Sequence, residues 1–301
     1  PGGTWNWKGT PPNYGKASGC SRLALEACRQ EGIQEVFATG WMDNGAETPI
    51  DAIYPGLAVF SFLCFHEDLY EEELSTYFRD CIDAELEDFL LLDLLDALFK
   101  GSGKNLTADN PSKYLLYQDP MLGIFDYHLK DTDTETYYRT LADKLKSKAE
   151  TPGEYQEFFR FYYYLSLVLS RKADLGIRIK TAYDAKDLST LKEISEEVIP
   201  NIIRNLTVMH TSRESLWFAD AKPFGYELLD IRLGGVKTRL ESCRRRLQSF
   251  LEGKVQTLEE LEQERLPYWE LGDAKPQDPK AELRENLWDK IISGCDLVDT
   301  V

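Results

Sequence analysis

A short stretch near the start of the chain carries side chains whose types and spacing suit the binding of a sugar. Trp41, Asp43 and Glu47 lie within residues 40–47, directly after a run of β-forming residues. An indole face can cover the C–H surface of a pyranose ring, and a carboxylate can accept hydrogen bonds from the ring hydroxyls. The stretch therefore indicates a sugar pocket. The alternative is that Trp41 packs in the core and Asp43 caps the next helix.

Two further aromatic residues occur in the opening segment of the chain. Trp5 and Trp7 occupy alternate positions, so in an extended segment both side chains point to the same side. They could line the same pocket, or they could be packing residues. An acid–base pair formed by Asp43 and Glu47 is disfavoured, because Gly45 interrupts the helical spacing that would bring the two carboxylates together.

Cysteine and histidine spacing argues against a metal centre or a redox centre. No two cysteines have the C-x-x-C spacing, and no two histidines have a spacing typical of zinc ligands. We therefore predict free thiols, no metal and no cofactor. Free thiols and the lack of a signal-peptide pattern favour a cytoplasmic location. The residues concerned are Cys20, Cys28, Cys64, Cys81, Cys243, Cys295, His66, His128 and His210.

Composition and charge narrow the choice of partners. The 301 residues include 52 acidic and 35 basic side chains, which gives a formal net charge of −17. Such a field repels phosphate backbones and anionic lipid headgroups, so we expect neither nucleic acid nor a membrane as a partner. The hydrophobic content of 43% is that of a folded globular protein.

The elements that must position these residues change in character near residue 66. Before it, the residues indicate a helix ending near Gln30, a strand at 35–41 expected to be buried on both faces, and a helix at 48–65 that Pro55 would restart or kink. This alternation is typical of a parallel α/β sheet or barrel. After it, helical periods dominate. Residues 226–251 show a heptad seam, which favours a helical bundle. Its members are Leu229, Leu233, Val236, Leu240, Cys243, Leu247 and Phe250.

Several motifs together resemble those of glycoside hydrolase family 20 β-N-acetylhexosaminidases. TWNWKG at 4–9, the S-x-x-x-L-x-A-C-x-x-x-G-I helix at 21–33 and VFATGWMDNGAETP at 36–49 are similar to the final two strand–helix units of that family's barrel. NPSKYLLYQDPMLGIFD at 110–126 and KPFGYELLDIRLGGVKTRLE at 222–241 are similar to the helical C-terminal domain of a bacterial branch.

The resemblance implies a mainly α fold with two parts. Residues 1–66 would form the C-terminal fragment of a (β/α)8 TIM barrel, namely its last two βα units. Residues 67–301 would form an all-α helical-bundle domain. We expect Pro1 to lie inside the barrel, whose missing N-terminal part would be a required partner.

The resemblance also implies an activity. It is the retaining, substrate-assisted hydrolysis of terminal β-linked N-acetylglucosamine or N-acetylgalactosamine from glycans. Trp41 would line the subsite for the terminal sugar, Asp43 would bind its outer hydroxyls, and Trp5 or Trp7 would wall the acetamide pocket, with Glu47 a weaker candidate. The family's catalytic Asp-Glu dipeptide occurs nowhere in the sequence. We therefore expect no catalytic residue in this chain and no activity from the chain alone.

One alternative belongs to a different functional class. The chain could be a non-catalytic, all-α interaction module, in which the tryptophans belong to the core and the heptad helix is a docking surface.

Overall fold

The computed structural model describes residues 2–4, 9–41, 46–99, 105–106 and 109–267, and these fold mainly as α-helices. They divide into one compact unit within residues 1–112 and a second within 113–267. The mainly α class predicted from the sequence is therefore confirmed. The sequence predicts a domain boundary after residue 66, whereas the two compact units meet in sequence at residues 112 and 113. The predicted boundary stays a prediction.

The first unit contains a parallel strand pair connected through a helix. Strand β1 (Gly2–Gly3) pairs with β2 (Ala38–Thr39), and α1 (Tyr14–Gln30) lies between them in the chain. The Thr4 N–H extends the pairing by donating to the Thr39 carbonyl at 3.1 Å. Parallel strands need such a crossover because a tight turn can join only antiparallel neighbours.

The expectation of a strand at 35–41 buried on both faces was wrong. The observed strand β2 has two residues, both half-buried, and the preceding Phe37 is 61% exposed. Burial on both faces requires helices packed on both sides of a sheet of several strands. Within the described residues, β2 pairs with β1 and with no other strand.

Helix α2 packs closely beneath the strand pair because small residues allow it. A 3₁₀ helix (Ile50–Ile53) leads into α2 (Tyr54–Phe65), with Pro55 in its first turn, as predicted from the sequence. A Cβ atom on Gly56 would lie 3.0 Å from the Thr4 Cβ. A Cβ atom on Gly40 would collide with the Ile53 Cδ1, so the Ile53 side chain would have to move.

The N-terminus of α1 is held by side chains from near and far in the sequence. The Asn13 side chain accepts from the Lys16 N–H, which is ordinary N-capping. The buried Asp93 carboxylate accepts from the N–H groups of Tyr14 at 2.6 Å and Gly15 at 2.8 Å. Asp93 lies on a 3₁₀ helix (Leu91–Asp96) that follows α3 (Glu71–Ile82) and α4 (Leu86–Leu90). A negative charge there also complements the helix dipole.

The second unit is built from helices packed around the long, apolar α7, which contacts both α6 and α10. The heptad seam predicted in residues 226–251 is confirmed, because its members from Leu229 to Leu247 are buried along α11. The helices with residues in this unit are α5 (Pro111–Tyr117), α6 (Thr134–Glu150), α7 (Gln156–Lys172), α8 (Leu175–Asp184), α9 (Leu188–Glu193), α10 (Ile199–Asp220), α11 (Tyr226–Leu251) and α12 (Glu259–Glu262).

A π turn joins α9 to α10. The sequence predicts one continuous helix over 188–209, whereas residues Ile194–Val198 form a wider turn in which the Ile199 N–H donates to the Ile194 carbonyl. Pro200 provides the reason, since proline lacks an N–H and its ring crowds the carbonyl four residues earlier. Inserting one residue into the turn resolves this conflict without ending the helix.

We expect Asp93→Ala to lower the free energy of unfolding by about 2 kcal/mol, because two backbone N–H groups at the start of α1 would lose a charged, buried acceptor. Urea denaturation followed by circular dichroism measures the change. Asp80→Ala, on the exposed surface of α3, is the matched control and should shift stability by less than about 0.5 kcal/mol. Equal midpoints for the two variants would contradict the role given to Asp93.

Candidate functional site

Trp41 occupies the position that a parallel α/β segment offers to ligands. It lies two residues beyond β2, at the carboxyl end of the strand, and its side chain is 48% exposed. Its indole Nε1 donates to the Thr39 Oγ1 at 2.8 Å, which fixes the ring relative to the strand. In parallel α/β folds the loops at the carboxyl ends of strands form the binding sites. An oriented, exposed indole at such an end suits a sugar face.

Glu47 is placed differently from Trp41. It is 4% exposed, and its carboxylate accepts from the Thr10 Oγ1 at 3.0 Å. The neighbouring Thr48 Oγ1 donates to the Gly9 carbonyl at 2.8 Å. These contacts join the segment that follows β1 to the segment that follows β2. Glu47 therefore links two loops at the end of the strand pair where Trp41 is exposed.

The other predicted binding residues cannot be placed in this arrangement. Trp5, Trp7 and Asp43 lie outside the described residues. In sequence, the two tryptophans follow β1 and Asp43 follows Trp41. The assignment of this set of residues as a site stays a prediction.

A second polar assembly lies buried in the second unit, and the sequence analysis missed it. Its centre is the segment 115–126, which runs from the end of α5 through an irregular stretch that contains Pro120 and Gly123. The Lys172 ammonium, 2% exposed, donates to the carbonyls of Leu115 at 2.9 Å and Gln118 at 2.6 Å. A lysine from α7 thus satisfies main-chain acceptors that a continuing helix would otherwise use.

Two arginines hold the same segment from other parts of the unit. The Arg265 guanidinium donates to the Met121 carbonyl at 2.8 Å and to the Leu122 carbonyl at 2.6 Å. The Arg239 Nε on α11 donates to the Asp119 Oδ2 at 2.6 Å. We name residues 115–126 with Lys172, Arg239 and Arg265 the clamped segment.

Asp126 closes the clamped segment at its far end. Its carboxylate is buried, accepts from the Gln118 Nε2 at 3.1 Å, and lies 3.2 Å from the Arg265 Nε. Glycines make room for it, since a Cβ atom on Gly176 would lie 2.6 Å from the Asp126 Oδ2. Gly123 has a φ of +56°, a left-handed conformation that favours glycine.

Burial dominates the electrostatics of the clamped segment. It raises the pKa of Asp126 to about 6, against the opposing effect of Arg265. It also lowers the pKa of Lys172 to about 7, against the opposing effects of Asp119 and Asp126. A neutral amine still carries two N–H donors for two carbonyls, so these contacts do not require the charge. The contacts described for these groups are with other residues of the same unit, which indicates a structural role.

Only part of the clamped segment has a signal in the sequence. The polar residues of QDPMLGIFD interrupt an otherwise helical pattern, and Arg239 lies in the second family-like motif. Lys172 and Arg265 have no such signal, because their partners are 54 to 144 residues away in the chain.

The described part of the chain has no group of three or more His, Cys, Asp or Glu side chains placed to hold a metal ion. None of its helices is long and apolar enough to cross a membrane. The metal-free and cofactor-free expectations stay predictions.

Fold and side chains together describe a mainly helical protein with a short parallel α/β segment whose exposed tryptophan suits a carbohydrate. Residues 87–279 match the family described as the Glycoside Hydrolase 20C C-terminal domain. The match covers more than half of the chain, so the chain belongs to this family, and the resemblance to family 20 glycoside hydrolases is confirmed. A search of curated proteins gives no significant match.

The matched region includes residues from both units. It contains the whole clamped segment, and its first residues include Asp93 at the N-terminus of α1. The family domain therefore contributes to the unit that carries the strand pair.

We expect the stabilising effect of Lys172 to increase with pH. Between about pH 7 and the ordinary lysine pKa of 10.5, the unfolded chain binds a proton that the folded chain lacks, so folding becomes more favourable as pH rises. The difference in unfolding free energy between the native protein and Lys172→Met should grow by up to about 1.4 kcal/mol per pH unit in this window.

Urea unfolding at a series of pH values from 7 to 10 measures this difference. Lys192→Met, at an exposed position on α9, is the control and should show a difference that does not vary with pH. A constant difference for Lys172→Met would show that its amine keeps an ordinary pKa in the folded protein.

Proposed function

We propose that this chain is the C-terminal part of a retaining β-N-acetylhexosaminidase that removes terminal β-linked N-acetylglucosamine or N-acetylgalactosamine. The substrate's acetamido oxygen attacks the anomeric carbon, a Glu protonates the leaving oxygen, and an Asp orients the acetamide. Family membership supports the glycosidase class. The Asp-Glu pair must come from outside these residues, because the sequence contains no such dipeptide.

Residues 1–66 supply the last two strand–helix units of a TIM barrel in this proposal. The observation that carries it is the parallel pairing of β1 with β2 around α1, which is the repeating unit of such a barrel. Among the described residues these two strands pair only with each other. In this proposal their outer edges pair with strands from the N-terminal part of the enzyme, which we propose as the required partner.

Trp41 forms the wall of the subsite for the terminal sugar, and its exposed ring after β2 supports this role. Asp43 binds the outer hydroxyls, and Trp5 or Trp7 closes the acetamide pocket. Glu47 acts mainly through position, because its bond to Thr10 ties together the loops that carry these residues.

We expect Trp41→Ala, made in the enzyme that contains this chain, to lower kcat/KM for a chromogenic N-acetylglucosaminide by at least about tenfold, since the sugar loses its stacking surface. Tyr70→Ala removes an aromatic side chain that is 49% exposed, close to the 48% of Trp41, and serves as the control. An unchanged kcat/KM for Trp41→Ala would remove Trp41 from the site.

We expect the 301-residue chain alone to leave the same substrate uncleaved, because it lacks the acid and the orienting carboxylate. Adding the separately produced N-terminal part should restore hydrolysis. Activity of the purified chain that persists through further purification and is lost in Trp41→Ala, as a contaminant's activity would not be, would contradict the expected inactivity of the chain alone.

A further inference from the structure

An elongated groove, which we name the α6–α7–α10 groove, runs over α7 in the second unit. Its larger part is a cleft of about 710 Å³, a volume within the range of ligand sites. One wall comes from α7, on which Tyr163, Leu167 and Arg171 recur every four residues and so share a face. Arg139 of α6 adds a cation to the same cleft.

The opposite wall is formed around the π turn. Glu193, Glu197, Asn201 and Asn205 recur every four residues along α9, the π turn and α10, and Glu196 and Arg204 lie beside them. The π turn, which precedes Pro200, lies in the middle of this wall. Single π turns inside helices occur frequently at functional sites.

The lining of the cleft is electrically balanced, although the whole chain carries a net charge of −17. Its basic and acidic residues are equal in number, so it provides no net attraction for an anion or a cation. They are Arg139, Arg171, Arg204, Glu193, Glu196 and Glu197.

Most of these polar groups face solvent and are available to a ligand. Arg139 and Arg204 are exposed and have no hydrogen bond or ion pair within the described residues. Arg171 is engaged, since its Nη1 lies 2.7 Å from the Glu135 Oε1. Asn205 donates to the Asn201 Oδ1 at 3.2 Å, which orients both amides along the wall. The cleft thus offers donors and acceptors side by side.

A smaller cleft extends the groove along α7. It measures about 290 Å³ and shares Tyr163 with the larger cleft. Tyr164 and Arg160 also line it, with the Arg160 guanidinium 5.9 Å from the centre of the Tyr164 ring. Tyr163 and Tyr164 pack edge to face with ring centres 5.1 Å apart. Aromatic rings therefore lie where the two clefts meet.

We propose that the α6–α7–α10 groove binds a neutral oligosaccharide chain. Sugar hydroxyls both donate and accept hydrogen bonds, which suits adjacent guanidinium, amide and carboxylate groups, and tyrosine faces suit the C–H surfaces of the rings. The equal numbers of basic and acidic side chains in the larger cleft give a phosphorylated or sulfated ligand no net attraction, which favours a neutral one. The choice of N-acetylglucosamine units rests on the proposed function.

The test is titration of the 301-residue chain with N-acetylchitotetraose, in which binding is measured by isothermal calorimetry and by ¹⁵N-edited NMR. We expect saturable binding that Arg139→Gln/Arg204→Gln weakens at least about fivefold, since both exposed guanidinium groups are lost. Tyr163→Ala should weaken it about tenfold, with loss of the stacking surface. Arg22→Gln, at an exposed position on α1, and Tyr70→Ala are the matched controls and should bind as the native chain does.

Several results would overturn the groove assignment. They are no saturable binding of the tetrasaccharide, binding unaffected by the double arginine variant, or binding only of a sulfated oligosaccharide used in parallel. Loss of binding in Trp41→Ala, with binding kept in Arg139→Gln/Arg204→Gln, would place the binding at the strand pair and overturn the groove assignment. Hydrolysis does not enter the titration, so failure of the groove is distinguishable from failure of the proposed function.

Discussion

The buried carboxylate of Asp93 at the start of α1 is the contact on which the strand–helix–strand segment depends. It binds the N–H groups of Tyr14 and Gly15 across a separation of 78 to 79 residues. These donors have no partner within α1 and would be costly to bury unpaired. Because Asp93 belongs to the matched family domain, that domain is part of the framework that sets the position of β2 and hence of Trp41.

The same physical rule governs the second unit with the opposite sign of charge. There Lys172 and Arg265 donate to main-chain carbonyls of the clamped segment. A buried charge is tolerated when it is hydrogen-bonded, and an irregular segment is tolerated in a core when its carbonyls have partners. The buried cations need acceptors and the carbonyls need donors, so each group satisfies the other. A non-helical stretch can therefore lie in the middle of a helical unit.

What the sequence could predict follows from the range of each interaction. The seam along α11 was predictable because helical periodicity is local, and its members from Leu229 to Leu247 are buried as expected. Trp41 could be placed in a loop because it follows β-forming residues, but the sequence left open whether its ring is exposed or packs in the core. The contacts of Asp93 and Lys172 were not, since no local pattern specifies a partner dozens of residues away. The prediction of a strand at 35–41 buried on both faces was wrong because burial was inferred from residue types alone. Burial depends on neighbouring elements, which the described residues do not supply.

The two carbohydrate proposals make different demands on the chain. A pocket at Trp41 needs a complete barrel, of which residues 1–66 would supply only the last two units. In the described part of the chain, their two strands pair only with each other. The groove along α7 has all of its lining within the second unit. A glycosidase that acts on chain ends gains from holding the rest of the glycan, since a second contact raises the effective concentration of the next terminal sugar. A helical domain with a balanced, aromatic-edged groove would supply that second contact without taking part in the chemistry.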